Sequence, residues 1–281
     1  MVKARILAAV SLLVAGMVAG CGSNSTTTAS IAGKVADGYL ESATVFMDKN
    51  GNYGLDSGEP SAMTDANGSY TLVVDPADVG NFPIVALAVQ GVTIDRDTNL
   101  PVANSYLLSM PKDSVTGTVG SNFISPFSTQ IREMMETGNY ANMQQAMDDL
   151  RANLGLPAGT NMFGDYIAGQ NPTMHTAAQN MATVMGGQMS QLYGTGGSAT
   201  GIDVNRYRGM MGAIFSNISS IKGSNAQSSM TNLMGSMTTS LGTITPGMPF
   251  QNMSASFRGG MSGGGRQGSM MGGTSMMGKG R

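Results

Sequence analysis

The sequence predicts an α+β protein of two domains, an N-terminal β-sandwich followed by a C-terminal small helical bundle. Short apolar runs separated by turn residues fill residues 31–119, a pattern typical of sandwiches. Apolar residues recur at helical spacing over residues 120–242, which predicts the bundle. Residues 243–281 are basic and rich in glycine and methionine, and this composition predicts a disordered tail.

The chain begins with a segment that has the form of a secretory signal peptide. Lys3 and Arg5 make a basic start, and an apolar run follows over residues 6–18. This run is too short to span a bilayer as a helix. Residues 1–20 are therefore predicted to be a signal peptide, and the small polar residues 21–30 to be a flexible tether.

The signal segment ends in Val18-Ala19-Gly20-Cys21, which resembles the lipobox of bacterial lipoproteins. The resemblance implies cleavage before Cys21 and acylation of its thiol, so that the membrane is a partner of the mature chain. Gly22, where an aspartate would signal inner-membrane retention, implies the outer membrane by the same resemblance. The periplasmic and the outer face of that membrane both remain open.

The composition excludes some kinds of site and favours others. Cys21 is the only cysteine, so a lipidated chain has no disulfide, zinc–thiolate site or cysteine nucleophile. Charged residues make up only 11% of the chain, against about 25% in typical soluble proteins. All 17 acidic residues precede Val204, so the acidic part suits a divalent cation. The basic remainder could meet lipid phosphates, acidic polysaccharide or nucleic acid, or its sparse charges could serve solubility only. The lipid anchor argues against a nucleic-acid partner.

Six segments of the first half have the pattern of strands. One is a continuous apolar run, as expected for a strand that is buried on both faces. Another follows a turn in which Asn67 and Gly68 are expected to supply positive φ angles. In chain order the segments read IAGKVADG, ATVFMD, TDANGSYTLVV, FPIVALAV, VTIDRD and NSYLLSM.

The second half reads as helices with clear boundaries. Ser125 is a cap and Pro126 suits the first helical position, while Gly138 and Gly155 are typical of helix ends. The residues 161–169 are predicted to form a short turn of helix. The five longer predicted helices are SPFSTQIREMMETG, NYANMQQAMDDLRANLG, TMHTAAQNMATVMGGQMSQLYG, VNRYRGMMGAIFSNISSIKG and SNAQSSMTNLMGSMTTSLG.

The stretch DKNGNYGLDSGEP, residues 48–60, is the strongest candidate for a metal site. Calcium takes oxygen ligands, and the EF-hand loop supplies them from positions 1, 3, 5, 7, 9 and 12. Counted from Asp48, these positions hold Asp48, Asn50, Asn52, the Gly54 carbonyl, Asp56 and Glu59. Tyr53 stands where the EF-hand has a glycine, and strands rather than helices flank the loop. The alternative is a hairpin loop whose side chains cap its own backbone. Asp37 and Asp65 are polar turn residues that could add a ligand.

Methionine suggests a second class of site, because thioethers and imidazole bind Cu(I). One helical face carries four methionines with a histidine beside the first: Met174, His175, Met181, Met185 and Met189. The tail adds Met261, Met270, Met271, Met276 and Met277. The alternative interpretation is that the helical methionines fill a core.

Motifs of enzymes and of nucleic-acid binding are weak. Ser219 and Lys222 have the serine–lysine spacing of penicillin-recognising enzymes, but neither partner motif follows. The densest basic and aromatic spot, Arg206-Tyr207-Arg208, stands alone. We therefore expect a non-enzymatic protein, and a hydrolase with a site built from scattered residues is the weaker alternative.

One stretch, GKVADGYLESATVFMDKNGNYGLDSGEPSAMTDANGSYTL, resembles extracellular prealbumin-like sandwich modules. These include carboxypeptidase-regulatory-like domains and the B repeats of bacterial surface adhesins. The resemblance implies a prealbumin-like sandwich and an extracytoplasmic role, and it implies no reaction. The sequence thus predicts a lipid-anchored envelope protein with a calcium-stabilised sandwich. Its expected role is structural or is the binding of an envelope protein or matrix component, with Cu(I) handling as the alternative.

Overall fold

The computed structural model describes residues 27–117, 122–192 and 201–243. These residues form ten strands and five α-helices, so the chain is a mixed α+β protein. The predicted signal peptide, Cys21, most of the tether, the tail methionines and nearly all of the tail lie outside the described residues. Among the residues that are described, no helix is both long enough and apolar enough to cross a membrane.

Six of the ten strands overlap the six predicted segments, and several strands are short. Their bounds are β1 Ala29–Val35, β2 Leu40–Glu41, β3 Thr44–Met47, β4 Ser61–Met63, β5 Ser69–Val74, β6 Ile84–Ala88, β7 Ile94–Asp95, β8 Leu100–Pro101, β9 Tyr106–Met110 and β10 Asn122–Ile124. The brief strands β2, β4, β8 and β10 were not predicted, because two or three residues are too few to show an alternating pattern.

The strands form three sheets. An antiparallel sheet has the order β4-β3-β6-β9. A second has the order β10-β1-β5, in which β1 is antiparallel to β5 and parallel to β10. A small sheet has the order β2-β7-β8. Strand β6 has neighbours on both sides and is almost wholly buried, as its continuous apolar sequence predicted.

The turn before β5 differs in detail from the prediction. Gly68 has a φ of 71°, but it is the only left-handed residue of the Asn67–Gly68 pair. The Asp65 carboxylate explains the difference, because it accepts hydrogen bonds from the amides of Asn67 and Ser69 and fixes the turn without a second positive φ. This carboxylate therefore caps its own turn.

The helices begin and end close to the predicted residues. Their bounds are α1 Pro126–Glu136, α2 Met143–Leu154, α3 Pro172–Gln188, α4 Val204–Ile221 and α5 Gln227–Gly242. Ser125 caps α1, and Gly138 and Gly155 both have a φ of 72° after α1 and α2. The predicted helical turn over residues 161–169 is wrong, because this segment folds as a series of turns held by the Asn161 and Asp165 side chains.

Helix α1 lies at the centre of the molecule. It packs against β9 and β10 on one side and against α2, α3 and α4 on the others. Nine consecutive residues of it, from Pro126 to Met134, are buried. Two tyrosines tie the helical part to strands: Tyr166 donates to the Ala36 carbonyl at 2.9 Å, and Tyr207 to the Leu107 carbonyl at 3.0 Å. Residues of both halves belong to one buried apolar cluster.

Candidate functional site

The loop of residues 48–60 joins β3 to β4. Its backbone makes the sharp turn of an EF-hand loop, although a tyrosine stands where that loop has a glycine. Tyr53 has a φ of 61°, in the left-handed region. For a residue with a Cβ this conformation costs about 1 kcal/mol, so the surrounding structure must compensate. The turn at position six of the loop is thus present despite Tyr53.

The polar side chains of the loop bind the loop itself. One carboxylate oxygen of Asp48 accepts the amides of Gly51 and Asn52, at 2.8 and 3.1 Å, and the other accepts that of Tyr53 at 3.2 Å. The Glu59 carboxylate accepts the amides of Lys49 and Asp56, at 2.7 and 2.9 Å. In this conformation the acidic side chains cap backbone N–H groups.

The two asparagines complete this network. The Asn50 and Asn52 side-chain amides both donate to Asp56 Oδ2 at 2.7 Å. The carbonyl oxygen of the Asn52 side chain accepts the Gly54 amide at 2.7 Å. The side-chain oxygens expected to bind calcium therefore already accept hydrogen bonds from the loop.

The Tyr53 side chain anchors the loop to the helices. It is 2% exposed, and its hydroxyl donates to Glu133 Oε1 on α1 at 2.5 Å. Its ring lies 4.8 Å from the Tyr207 ring of α4, and the Arg132 guanidinium lies 4.2 Å from its centroid. These contacts compensate for the left-handed backbone, since each aromatic or cation–π contact contributes about 0.5–1.5 kcal/mol.

Beneath the loop lies a set of charged side chains and one tyrosine, which we call the α1 cluster: Asp48, Tyr53, Arg132, Glu133, Glu136 and Arg208. The first four are buried, and Glu136 and Arg208 are more exposed. Arg132 Nη2 is 3.3 Å from Asp48 Oδ2, and Arg132 Nε is 2.9 Å from Glu136 Oε1. Arg208 pairs with Glu136, and its Nε lies 3.6 Å from Glu133 Oε2. Buried charges persist in proteins when they are paired in this way.

The two glutamates of the α1 cluster differ in electrostatic environment. Burial raises the pKa of Glu133 to about 7, although Arg132 opposes the shift. Burial acts in the same direction on Glu136, but there Arg132 and Arg208 together outweigh it and lower the pKa below its ordinary value. Glu133 therefore changes charge near neutral pH, while Glu136 stays ionised.

The fit of the loop to calcium is partial. The ligand types and the turn at Tyr53 suit a calcium loop. Asp48, however, is 1% exposed and pairs with Arg132. Within the described residues, no group of three or more His, Cys, Asp or Glu side chains is arranged to hold a metal ion. Calcium would have to replace the internal hydrogen bonds of Asp56 and Glu59.

The helical methionines lie in the apolar core. Met174, Met181, Met185 and Met189 are at most 5% exposed and belong to the buried cluster. The imidazole of His175 is partly exposed, and its Nε2 lies 2.6 Å from Asp97 Oδ2, on the segment after β7. The imidazole therefore interacts with a carboxylate, and the thioethers pack as core side chains do.

Lys222 and Arg206, which belong to the two weak sequence motifs, have structural partners. The Lys222 ammonium donates to the carbonyls of Asn153 and Leu154, at 3.1 and 2.7 Å, and thereby caps the end of α2. Ser219 is exposed, and no hydrogen bond joins it to Lys222 among the described residues. Arg206 donates to the Gln191 carbonyl at 3.0 Å.

Arg132 and Glu133 are site residues that no sequence pattern predicted. The sequence REMME at the C-terminal end of α1 predicts a partly exposed segment, because charged side chains usually face water. One sequence feature could have indicated a buried partner for the loop. Tyr53 stands at a glycine position, and a strained aromatic residue in a polar loop needs a compensating contact.

Comparison of the chain with protein-family models, curated proteins and solved structures finds no match.

Proposed function

We propose that the chain is a non-enzymatic, lipid-anchored protein of the bacterial outer membrane with a binding or structural role. The observation that carries this proposal is the lipobox-like Val18-Ala19-Gly20-Cys21 behind the apolar run of residues 6–18. The strand half would be a prealbumin-like sandwich, and the helical half a second domain that packs on it and unfolds together with it. The strongest polar cluster supports a structural role, because its charges pair with one another across the strands and helices.

Metabolic labelling with an alkyne fatty acid tests the anchor. We expect the full chain to take up the label and to sediment with outer membranes. The Cys21→Ser variant should lose the label. A matched control, Ser23→Ala, should keep it. Labelling that persists in Cys21→Ser, or an unlabelled full chain, would contradict the anchor.

We also propose that calcium stabilises the loop of residues 48–60. The ligand spacing from Asp48 to Glu59 and the left-handed turn at Tyr53 support this. The site would have modest affinity, because two of its side-chain ligands are neutral amides and Asp48 is shared with Arg132. Extracellular modules of this kind bind calcium at about 0.1–1 mM.

Thermal unfolding of the mature chain tests calcium. About 5 mM calcium, well above the expected dissociation constant, should raise the Tm, and the same concentration of magnesium should raise it less. Glu59→Gln should abolish the calcium response, while Glu41→Gln, outside the loop, should retain it. An equal Tm with and without calcium would leave the loop as a self-capped hairpin.

A further inference from the structure

A cavity separate from the loop of residues 48–60 lies between the strands and helix α3. Its volume is about 320 Å³, within the range of about 300–1,000 Å³ that is usual for small-molecule sites. One wall comes from β7, β8 and the residues that lead into β9, and the other from α3. Neither the α1 cluster nor the loop of residues 48–60 lines it, whereas Asp37, which the sequence offered as an additional calcium ligand, does.

The lining of this cavity is divided by chemistry. Leu100, Val102 and Ala182 contribute carbon surface. Asp37, Asp95 and Tyr106 contribute polar atoms. A ligand that fills this space therefore meets hydrocarbon along part of its length and carboxylates at another part.

Asp37 is the central polar group. It is 8% exposed, and its Oδ1 accepts the Tyr106 hydroxyl at 3.0 Å. Its carboxyl group also accepts the backbone N–H of Asp37 itself, and the side chain lines the cavity. No cationic side chain pairs with this buried carboxyl group among the described residues, so a cationic ligand would supply an interaction that the fold does not.

The two carboxylates of the cavity also lack a counter-ion. No ion pair within the described part of the chain includes Asp37 or Asp95. Two basic side chains of the same region have other partners, since Arg96 pairs with Glu41 and His175 with Asp97. Burial, and then the neighbouring Asp95 carboxylate, raise the pKa of Asp37 to about 8. Burial likewise raises the pKa of Asp95.

We propose that this cavity binds a small organic cation, a primary amine with a short aliphatic body, through Asp37 and Asp95. An ammonium group supplies N–H donors together with the positive charge that the carboxylates lack. The aliphatic body suits the carbon wall of Leu100, Val102 and Ala182. A divalent metal fits less well, because no group of three or more His, Cys, Asp or Glu side chains in the described residues is arranged to hold one. This proposal goes beyond the envelope role and does not rest on the lipid anchor or on calcium.

Calorimetric titration of the mature chain with n-butylamine, n-butanol and butyrate tests whether the cavity prefers a cation. The three compounds have the same four-carbon skeleton and differ in the charge of their polar group. We expect n-butylamine to bind at pH 8 at least tenfold more tightly than n-butanol, and butyrate not to bind. Equal binding of the amine and the alcohol would overturn the proposal, because the cavity would then be an apolar pocket only. Absence of amine binding would overturn it as well.

Variants locate the site. Asp37→Asn preserves the shape of the side chain and an acceptor for Tyr106, and it should weaken n-butylamine binding at least tenfold. The variant should be no less stable than the parent, so a folding defect would not imitate the result. Asp113→Asn, at an exposed surface position, should bind as the parent does. Unchanged binding in Asp37→Asn would overturn the assignment.

The pH dependence gives a further check. The titratable groups around Asp37 are Asp95 and Asp97 on the β7–β8 hairpin, Tyr106 on β9, Tyr166, and His175 on α3. Below about pH 8 the amine must displace the proton of Asp37, so its affinity should fall as the pH falls. From pH 8 to pH 6 we expect a loss of more than about tenfold. A flat profile would show that Asp37 does not pair with the ammonium.

Discussion

Tyr53 is the residue on which the loop depends. Its backbone is left-handed, at a φ of 61°, and its side chain is buried among α1 and α4. A glycine would relieve the backbone but would leave the space over Arg132 and Glu133 empty. The tyrosine therefore exchanges a small local strain for a contact that joins the loop to the helices.

Tyr53→Phe should destabilise the protein by about 1–3 kcal/mol, because it leaves Glu133 Oε1 buried without its hydroxyl donor. Urea unfolding at pH 7 measures the change. Tyr70→Phe is a matched control, since the buried Tyr70 hydroxyl makes only a long hydrogen bond of 3.4 Å to the Asn122 carbonyl. An equal loss in the two variants would contradict the role assigned to Tyr53.

Glu133 should make stability depend on pH. Its pKa is raised to about 7 in the folded protein, above its ordinary value of 4.5, so the folded state binds more protons between these values. Stability should therefore fall as the pH rises from about 4.5 to about 7. Glu133→Gln should remove about 2 kcal/mol of this fall. The free energy of unfolding at pH 5 and pH 7.5 provides the measurement.

Glu136→Gln is the control of opposite sign. The pKa of Glu136 is lowered in the folded state, so its ionised form stabilises the protein at neutral pH and this contribution is lost as the pH falls. Glu136→Gln should cost stability at pH 7.5 and cost less at acid pH. The same pH response in both variants would contradict the distinction between the two glutamates.

At the scale of elements, β1 and β10 approach each other closely at a glycine. Gly33 pairs with Asn122 in a parallel register, and a Cβ built on Gly33 would lie 1.8 Å from the Asn122 carbonyl oxygen. The two strands can meet only because this position has no side chain. Strand β10 leads directly into Ser125 and α1, so this pairing also positions the central helix.

Gly33→Ala should therefore destabilise the protein by more than about 3 kcal/mol, since backbone rather than a flexible side chain opposes the methyl group. Gly159→Ala is the matched control, because a Cβ there has no atom within 4 Å. Thermal unfolding of both variants measures the difference in stability. A Gly33→Ala variant as stable as Gly159→Ala would mean that β1 and β10 do not pair in this register.

At the scale of the whole molecule, the sequence predicted the helices and the main strands better than it predicted the contacts between them. The five helices and the main strands follow from periodicity, caps and turn residues, which are local properties. The turns over residues 161–169 were mistaken for helix, because Asn161 and Asp165 bind nearby amides instead of continuing a helical ladder.

The α1 cluster was beyond sequence reasoning for a physical reason. Asp48 and Arg132 are separated by 84 positions, and Tyr53 and Glu133 by 80. A charged residue reads as exposed unless its partner is known, and only the folded chain supplies that partner. The loop of residues 48–60 was therefore recognised as special from its spacing, whereas its contact with the helices was not.

The central structural claim is that the strands and helices form one cooperative unit, joined by Tyr53, Asp48 and the α1 cluster. Native-state hydrogen exchange in increasing urea, applied to the mature chain, tests this most directly. We expect amides of β6 and of α1 to converge on the same free energy of unfolding. Loss of protection in α1 at urea concentrations where β6 remains fully protected would contradict the claim, and would show that the two halves unfold as separate domains.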